Sequence, residues 1–167
     1  DFARLDSDAV RLEKAPTHLG ELIDDLAQRF TPAAETRGVR IECSYPEALP
    51  LVAVDAALIE RAIANLMENA LRHTPVGGTI RLVAQPRNNG IELGVTDTGR
   101  GSASADVADV MERFFQGSRQ REGHGHAGLG LAIVKRVAEL HQGHVRAGNQ
   151  PLGGACFSLW LPLNATE

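Results

Sequence analysis

The order of apolar patterns in these 167 residues predicts an α+β fold, a two-layer sandwich. One mixed, mostly antiparallel sheet of about five strands should pack on about three helices. Three observations carry that prediction. Three stretches repeat apolar residues at helical spacing, several short ones alternate apolar and polar residues, and one long stretch does neither. With 43% apolar and 23% charged residues, the chain is long enough for one domain with a sizeable core.

Residues 1–13, DFARLDSDAVRLE, read as the end of a helix whose apolar face includes Phe2, Leu5, Val10 and Leu12. That helix is too short to bury its face alone, so something is expected to precede it. The absence of an initial methionine points the same way. A second helix is expected over 19–37, with Thr17 as cap, Glu21 near the capping-box position and Gly38 as its stop. VRIECSY (39–45) should be a short strand, and LVAV (51–54) can be another. Asp55 can cap the helix DAALIERAIANLMENALRH, which Pro75 and the Gly77-Gly78 pair close.

TIRLVAQP and GIELGVTD, joined across RNNG, alternate as an antiparallel hairpin should. Residues 98–127 carry little periodicity outside DVADVMERFF, and a long insert of that kind is more often a functional lid than filler. LGLAIVKRVAELH reads as an amphipathic helix stopped by Gly143. HVRAGNQ and GACFSLWLP then make a final hairpin through PLGG. The expected organisation is a lead-in over 1–13, one domain over 14–164 with its lid at 98–127, and a tail at 165–167.

A formal charge of −4 argues against holding nucleic acid or an anionic membrane through net positive charge, so any anion site must be local. Cys43 and Cys156 lie far apart in apolar contexts without C-x-x-C spacing, and read as core residues in a reducing compartment. No run approaches the roughly twenty apolar residues of a spanning helix, and no signal peptide is visible, so this stretch is expected to be soluble.

Three short constellations carry chemistry. On a helical wheel Ile59, Ala62, Ile63, Leu66 and Ala70 share one face, with Asn65, Asn69 and Arg72 as a stripe beside it. His73 falls between stripe and core, and Glu68 points away. An amide oxygen can ligate a hard cation, Mg²⁺ takes only one or two protein oxygens, and an arginine one turn on can meet phosphates. Exposed helix asparagines would look the same. DTGRG at 97–101 follows a strand, where Asp97 can accept from an exocyclic amine such as that of adenine, although an Asx turn has the same sequence. GHGHAGLGLAIVK at 123–135 runs into a helix N-terminus, an anion site whose Gly128 and Gly130 admit a phosphate closely. Its spacing excludes a P-loop.

Together and in this order, the motifs resemble the catalytic ATP-binding domain of a bacterial sensor histidine kinase, in the GHKL superfamily. NLMENALRH (65–73) resembles the N box, DTGRG the first glycine box, ERFF (112–115) the F box and GLGLAIVKRVAELHQG (128–143) the second glycine box. GGACFSLWLP resembles the closing strand, and the likeness covers nearly all of residues 14–163.

The resemblance implies ATP and Mg²⁺ as cofactors. Asn69 would be the magnesium ligand, with Asn65 supporting metal or phosphates and Arg72 contacting phosphate. His73 would lie near the base or ribose, and Asp97 would read the adenine amine with the Gly99 and Gly101 backbone. Gly128, Leu129 and Gly130 would face the triphosphate. Met111 stands where the F box usually begins with phenylalanine, which would alter only how the lid packs, and Gln116 stands where many members carry a phosphate-facing arginine, so that Arg113, Arg119 or Arg121 would substitute. His126 and Ala127 also replace a glycine and a hydroxyl residue.

The remaining histidines are weak candidates. His124 and His126 lack a third metal ligand in sequence, while His18, His141 and His144 read as helix-end or surface residues. None lies in a phosphoacceptor-like segment. The resemblance therefore implies a fragment that presents the γ-phosphate of ATP to a histidine on its own dimerisation domain, in a full-length homodimer. The phosphate would pass on to the receiver domain of a response regulator. The implied setting is the cytoplasmic side of a bacterial inner membrane, with no membrane contact from this domain. Hydrolytic relatives carry a glutamate where Asn65 stands, and an amide cannot take a proton from water. The alternative is a module that binds ATP without transferring it.

Overall fold

The computed structural model describes residues 11–98, 126–149 and 155–163. Its elements run β1 (Ala15–Thr17), α1 (Leu19–Thr36), β2 (Arg40–Ser44), β3 (Val52–Val54), α2 (Ala56–His73), β4 (Thr79–Arg87), β5 (Gly90–Asp97), α3 (His126–Leu140), β6 (His144–Asn149) and β7 (Ala155–Pro162). The main sheet has the order β2-β4-β5-β7-β6, with only the β2–β4 pair parallel. Three helices against one mixed five-stranded sheet bear out the expected sandwich.

The parallel pair follows from the helix between its strands. A chain leaving β2 passes through β3 and α2 before reaching β4, a crossover long enough to return it in the same direction. β4 and β5, by contrast, join through a two-residue turn. Asn88 and Asn89 take φ of 49° and 59°, the left-handed pair whose twist matches a hairpin, and Arg87 stands opposite Gly90. Alternation then sends Ile80, Leu82, Ala84, Ile91, Leu93 and Val95 into the core, where they meet Leu159 and Leu161 of β7.

The helices close that core. Leu19, Leu22, Ile23 and Leu26 of α1, Ile59, Ile63, Leu66 and Met67 of α2, and Leu131, Val134 and Val137 of α3 are all buried. Ile63 is fully buried, so Ile63→Val should cost about 1 kcal/mol. The measurement is the urea midpoint, which should fall while the slope m stays constant; no shift would mean the site had collapsed around the lost methylene.

Several local expectations need correction. α1 is capped by His18, whose Nδ1 accepts from the Glu21 N–H at 3.1 Å. Thr17 cannot serve, because it is paired with Val52 in a two-stranded sheet of β1 and β3 and its hydroxyl donates to the Ala15 carbonyl. The LVAV strand is thus real but stands outside the main sheet. Residues 11–13, expected to end a helix, have no regular structure, because the chain there is already approaching β1; residues 1–10 lie outside the described residues. Cys43 packs on the core as expected, whereas Cys156 alternates with the buried Phe157 and so turns to the opposite face of the sheet. Both thiols are free.

Candidate functional site

The N-terminus of α2 is fixed by Asp55, whose Oδ1 accepts from the Leu58 N–H at 3.3 Å. From that start the wheel places Ile59, Ala62, Ile63, Leu66 and Ala70 in the core, and all five are buried. Asn69 is only 7% exposed and Asn65 is half-buried, so neither is the plain surface amide that their pattern also allowed. The Nδ2 of Asn65 and the Oδ1 of Asn69 are buried without a hydrogen-bond partner among the described residues.

That pair is informative. An unsatisfied buried polar atom costs about 1–3 kcal/mol, and native folds leave few of them. Here one is a donor and the other an acceptor, one turn apart on the same helix. A cation suits the oxygen and an anionic oxygen suits the N–H₂, so the stripe fits magnesium together with phosphate. No three His, Cys, Asp or Glu residues gather around a common point among the described residues, so a cation there would draw its other ligands from phosphate and water.

The glycine-rich segment meets this stripe directly. α3 begins at His126, so Gly128, expected just ahead of the helix, and Leu129, expected to open it, both fall by backbone in its first turn. The N–H groups of an opening turn lack partners within the helix and point outward along its axis. Gly130 lies against α2, and a Cβ built on it would sit 3.6 Å from Cβ and Cγ of Asn65. That separation is ordinary van der Waals contact, so the first turns of α3 pack directly on the flank of α2 that carries Asn65.

β5 delivers the third component. Asp97 is its last residue, 8% exposed, and its Oδ1 accepts from the Ala155 N–H at 3.3 Å. Thr98 is held by Thr79, whose N–H donates to Thr98 Oγ1 at 2.8 Å and whose carbonyl accepts from the Thr98 N–H at 3.1 Å. Gly78 allows the end of α2 to come near this corner, because a Cβ there would meet Thr74 Cγ2 at 2.5 Å and Thr98 Oγ1 at 3.2 Å. Arg72 and His73, in the last turn of α2, are both exposed. The fold thus joins Asn65 to Gly130 and brings the Asp97 end of β5 near the C-terminus of α2. Gly99, Gly101, Met111, Arg113, Gln116, Arg119, Arg121 and His124 lie outside the described residues.

Sequence reasoning missed Thr74, Thr79 and Thr98, which frame the Asp97 corner; the threonine of DTGRG was the available signal. His141, expected as a helix-end or surface residue, does close α3 but is not on the surface. That residue is 1% exposed, with Nδ1 2.8 Å from the Val137 carbonyl and Nε2 accepting from the Asp55 N–H at 3.0 Å. Only a neutral imidazole with its proton on Nδ1 satisfies both contacts.

Burial lowers the pKa of His141 below its ordinary 6.5, and Lys14 adds to that, while the Val137 carbonyl and the Asp55 carboxylate oppose it. Above 6.5 the folded and unfolded histidines are both neutral and nothing is lost. As pH falls below 6.5 the unfolded chain takes up a proton that the folded chain refuses, so stability declines by at most about 1.4 kcal/mol per pH unit until the folded pKa is passed. Urea midpoints at pH 7.5 and 5.5 should therefore fall further for the wild type than for His141→Gln. An equal fall in both would refute the assignment.

Residues 54–165 match the family model described as histidine kinase-, DNA gyrase B-, and HSP90-like ATPase. The chain belongs to that family. Among its relatives, the alginate biosynthesis sensor protein KinB of Pseudomonas aeruginosa is 36% identical over 163 residues, covering 98% of this chain and 27% of KinB. The signal transduction histidine-protein kinase BaeS of Escherichia coli K12 is 32% identical over 160 residues, covering 95% of this chain and 34% of BaeS. The crystal structure of full-length ShkA in complex with AMPPNP superposes with a TM-score of 0.81 at 31% identity, over 96% of this chain and 33% of ShkA. The chain thus spans about a third or less of each relative, while the ATPase-family match itself reaches from the residue before Asp55 to the end of β7 and beyond.

Proposed function

We propose that this domain binds Mg·ATP and presents its γ-phosphate to a histidine on a neighbouring helical domain of the same sensor kinase. The observation that carries the reading is the buried Oδ1 of Asn69, without a hydrogen-bond partner among the described residues, an acceptor on the helix that packs against the glycine-rich α3. A magnesium ion on that oxygen would offset charge on the phosphates and orient them.

The other roles follow from position. Asn65 Nδ2 donates to a phosphate oxygen, and the opening turn of α3, with Gly128 and Leu129, offers N–H groups to the same chain of phosphates. Arg72, exposed one turn beyond Asn69, adds positive charge. Asp97 accepts from the adenine amine, and His73 borders the base or ribose. Arg113, Arg119 or Arg121 is the proposed lid contact, and Gly99 and Gly101 the close backbone around adenine.

Transfer itself needs little acid–base help. The acceptor imidazole nitrogen attacks phosphorus with its own lone pair, the bond to the bridging oxygen breaks, and ADP leaves with that electron pair. Positioning and charge compensation supply the catalysis. Asn65, an amide, offers no base to activate water, which favours holding ATP over hydrolysing it. In the full-length protein we place this domain in a homodimer on the cytoplasmic side of a membrane, upstream of a response-regulator receiver domain. Among the described residues no helix is long and apolar enough to cross a membrane.

The test is to mix the domain with the histidine-bearing helical domain of the same protein, made separately, and γ-labelled ATP. An acid-labile phosphate on that histidine is the expected product. ATP binding without any such phosphate would instead favour a sensing module that does not transfer.

A further inference from the structure

We infer that His141 is a positioning residue that sets the register of α3 against α2, and through it the alignment of the amide pair with the glycine-rich end of α3; the nucleotide consequences rest on the function proposed above. Two contacts, far apart along the helices, define that register. At one end Gly130 lies against Asn65, and at the other His141 Nε2 takes the Asp55 N–H at 3.0 Å. From 130 to 141 is 11 residues and from 55 to 65 is 10, about 16 and 15 Å of helix at 1.5 Å per residue. The helices therefore run antiparallel with matched spans. A slip of one past the other by a turn, about 5.4 Å, would break the His141 contact.

The clamp is held from both sides. His141 is 1% exposed, its Nδ1 is engaged by the Val137 carbonyl, and its backbone N–H closes α3 on the Val137 and Ala138 carbonyls. Gly143, just beyond, runs so close to β7 that a Cβ on it would meet the Trp160 carbonyl at 1.9 Å. α3 is thus seated on the sheet where it touches Asp55. On the other side Asp55 Oδ2 accepts from the Glu13 N–H at 3.1 Å, and β1 pairs with β3, the strand that leads straight into Asp55. Asp55 is consequently the meeting point of the entering chain, the start of α2 and the end of α3. A displacement of the segment before β1 reaches both site helices through this one residue.

The experiment compares two amides that differ by one methylene. Glutamine at 141 can place its oxygen near the position of Nε2, and asparagine stops short of Asp55. In the ligand-free chain, His141→Asn should shift the NMR signals of the Gly130 backbone amide and the Asn65 side-chain amide, and His141→Gln should return them towards wild type. In the wild type, a scalar coupling across the Asp55 N–H···Nε2 bond should be visible and needs no variant. With nucleotide, His141→Asn should weaken ATP binding by about tenfold, the factor of roughly one hydrogen bond, while leaving adenosine affinity within about twofold. Glutamine should restore the ATP affinity.

A purely structural role would lower the melting temperature yet leave the Asn65 and Gly130 signals and the ATP-to-adenosine ratio unchanged, and that outcome overturns the inference. So does a folded glutamine variant that behaves like asparagine. If the ligand-free shifts appear and the wild type binds no ATP, the register stands and the nucleotide reading falls.

Discussion

Asp97→Asn is expected to lower the affinity for ATP and ADP by at least about a hundredfold, the equivalent of a charge-assisted hydrogen bond exchanged for a clash of donors. A carboxylate only accepts, with about four lone-pair sites, so Asp97 can hold the Ala155 N–H on Oδ1 and still accept from an adenine amine. Asparagine keeps one oxygen and turns an N–H₂ towards whatever the other oxygen met. The fold should survive, since the Ala155 contact can persist through the remaining oxygen. Isothermal titration of the variant is decisive, and an unchanged dissociation constant would sink the adenine role.

Asn69→Ala should abolish the magnesium dependence of triphosphate binding. ATP affinity measured with Mg²⁺ and with a chelator should differ in the wild type and coincide in the variant; a variant that still needs the metal equally would contradict the ligand role. The same substitution should leave the ligand-free domain as stable as before, or stabilise it by up to about 1–3 kcal/mol, because it deletes a buried acceptor that has no donor among the described residues. Lost metal dependence with retained stability would separate a binding group from a packing group.

The sequence made most of this fold legible because its periods are clear. The α2 core stripe, the Asp55 cap and the Asn-Asn hairpin turn are all local signals, and each stands where expected. What stayed hidden was non-local. His141 read as a helix-end or surface residue; it does close α3, but its burial stayed hidden because its partner, Asp55, lies 86 residues away. β1 was unreadable for the same reason: a three-residue strand has too little pattern of its own, and only its pairing with β3 defines it. The amide stripe was visible, yet the wheel of a single helix cannot tell which of its flanks other elements cover, and Asn69 is buried at 7% exposure.

The edges of the five-stranded sheet have a further consequence, for how such domains tolerate crowding. β2 and β6 are the outermost strands, five and six residues long, and each leaves a row of backbone groups outside the sheet's own ladder. Rows of that kind invite strand addition from a neighbouring copy, and any assembly that tethers two copies raises their local concentration steeply. β2 presents Arg40 and Glu42 to solvent, and β6 presents His144 and Arg146. Joining β2 of one molecule to β6 of the next would strip hydration from the charged side chains of both edges. Short, charged borders disfavour joining two copies edge to edge into one continuous sheet.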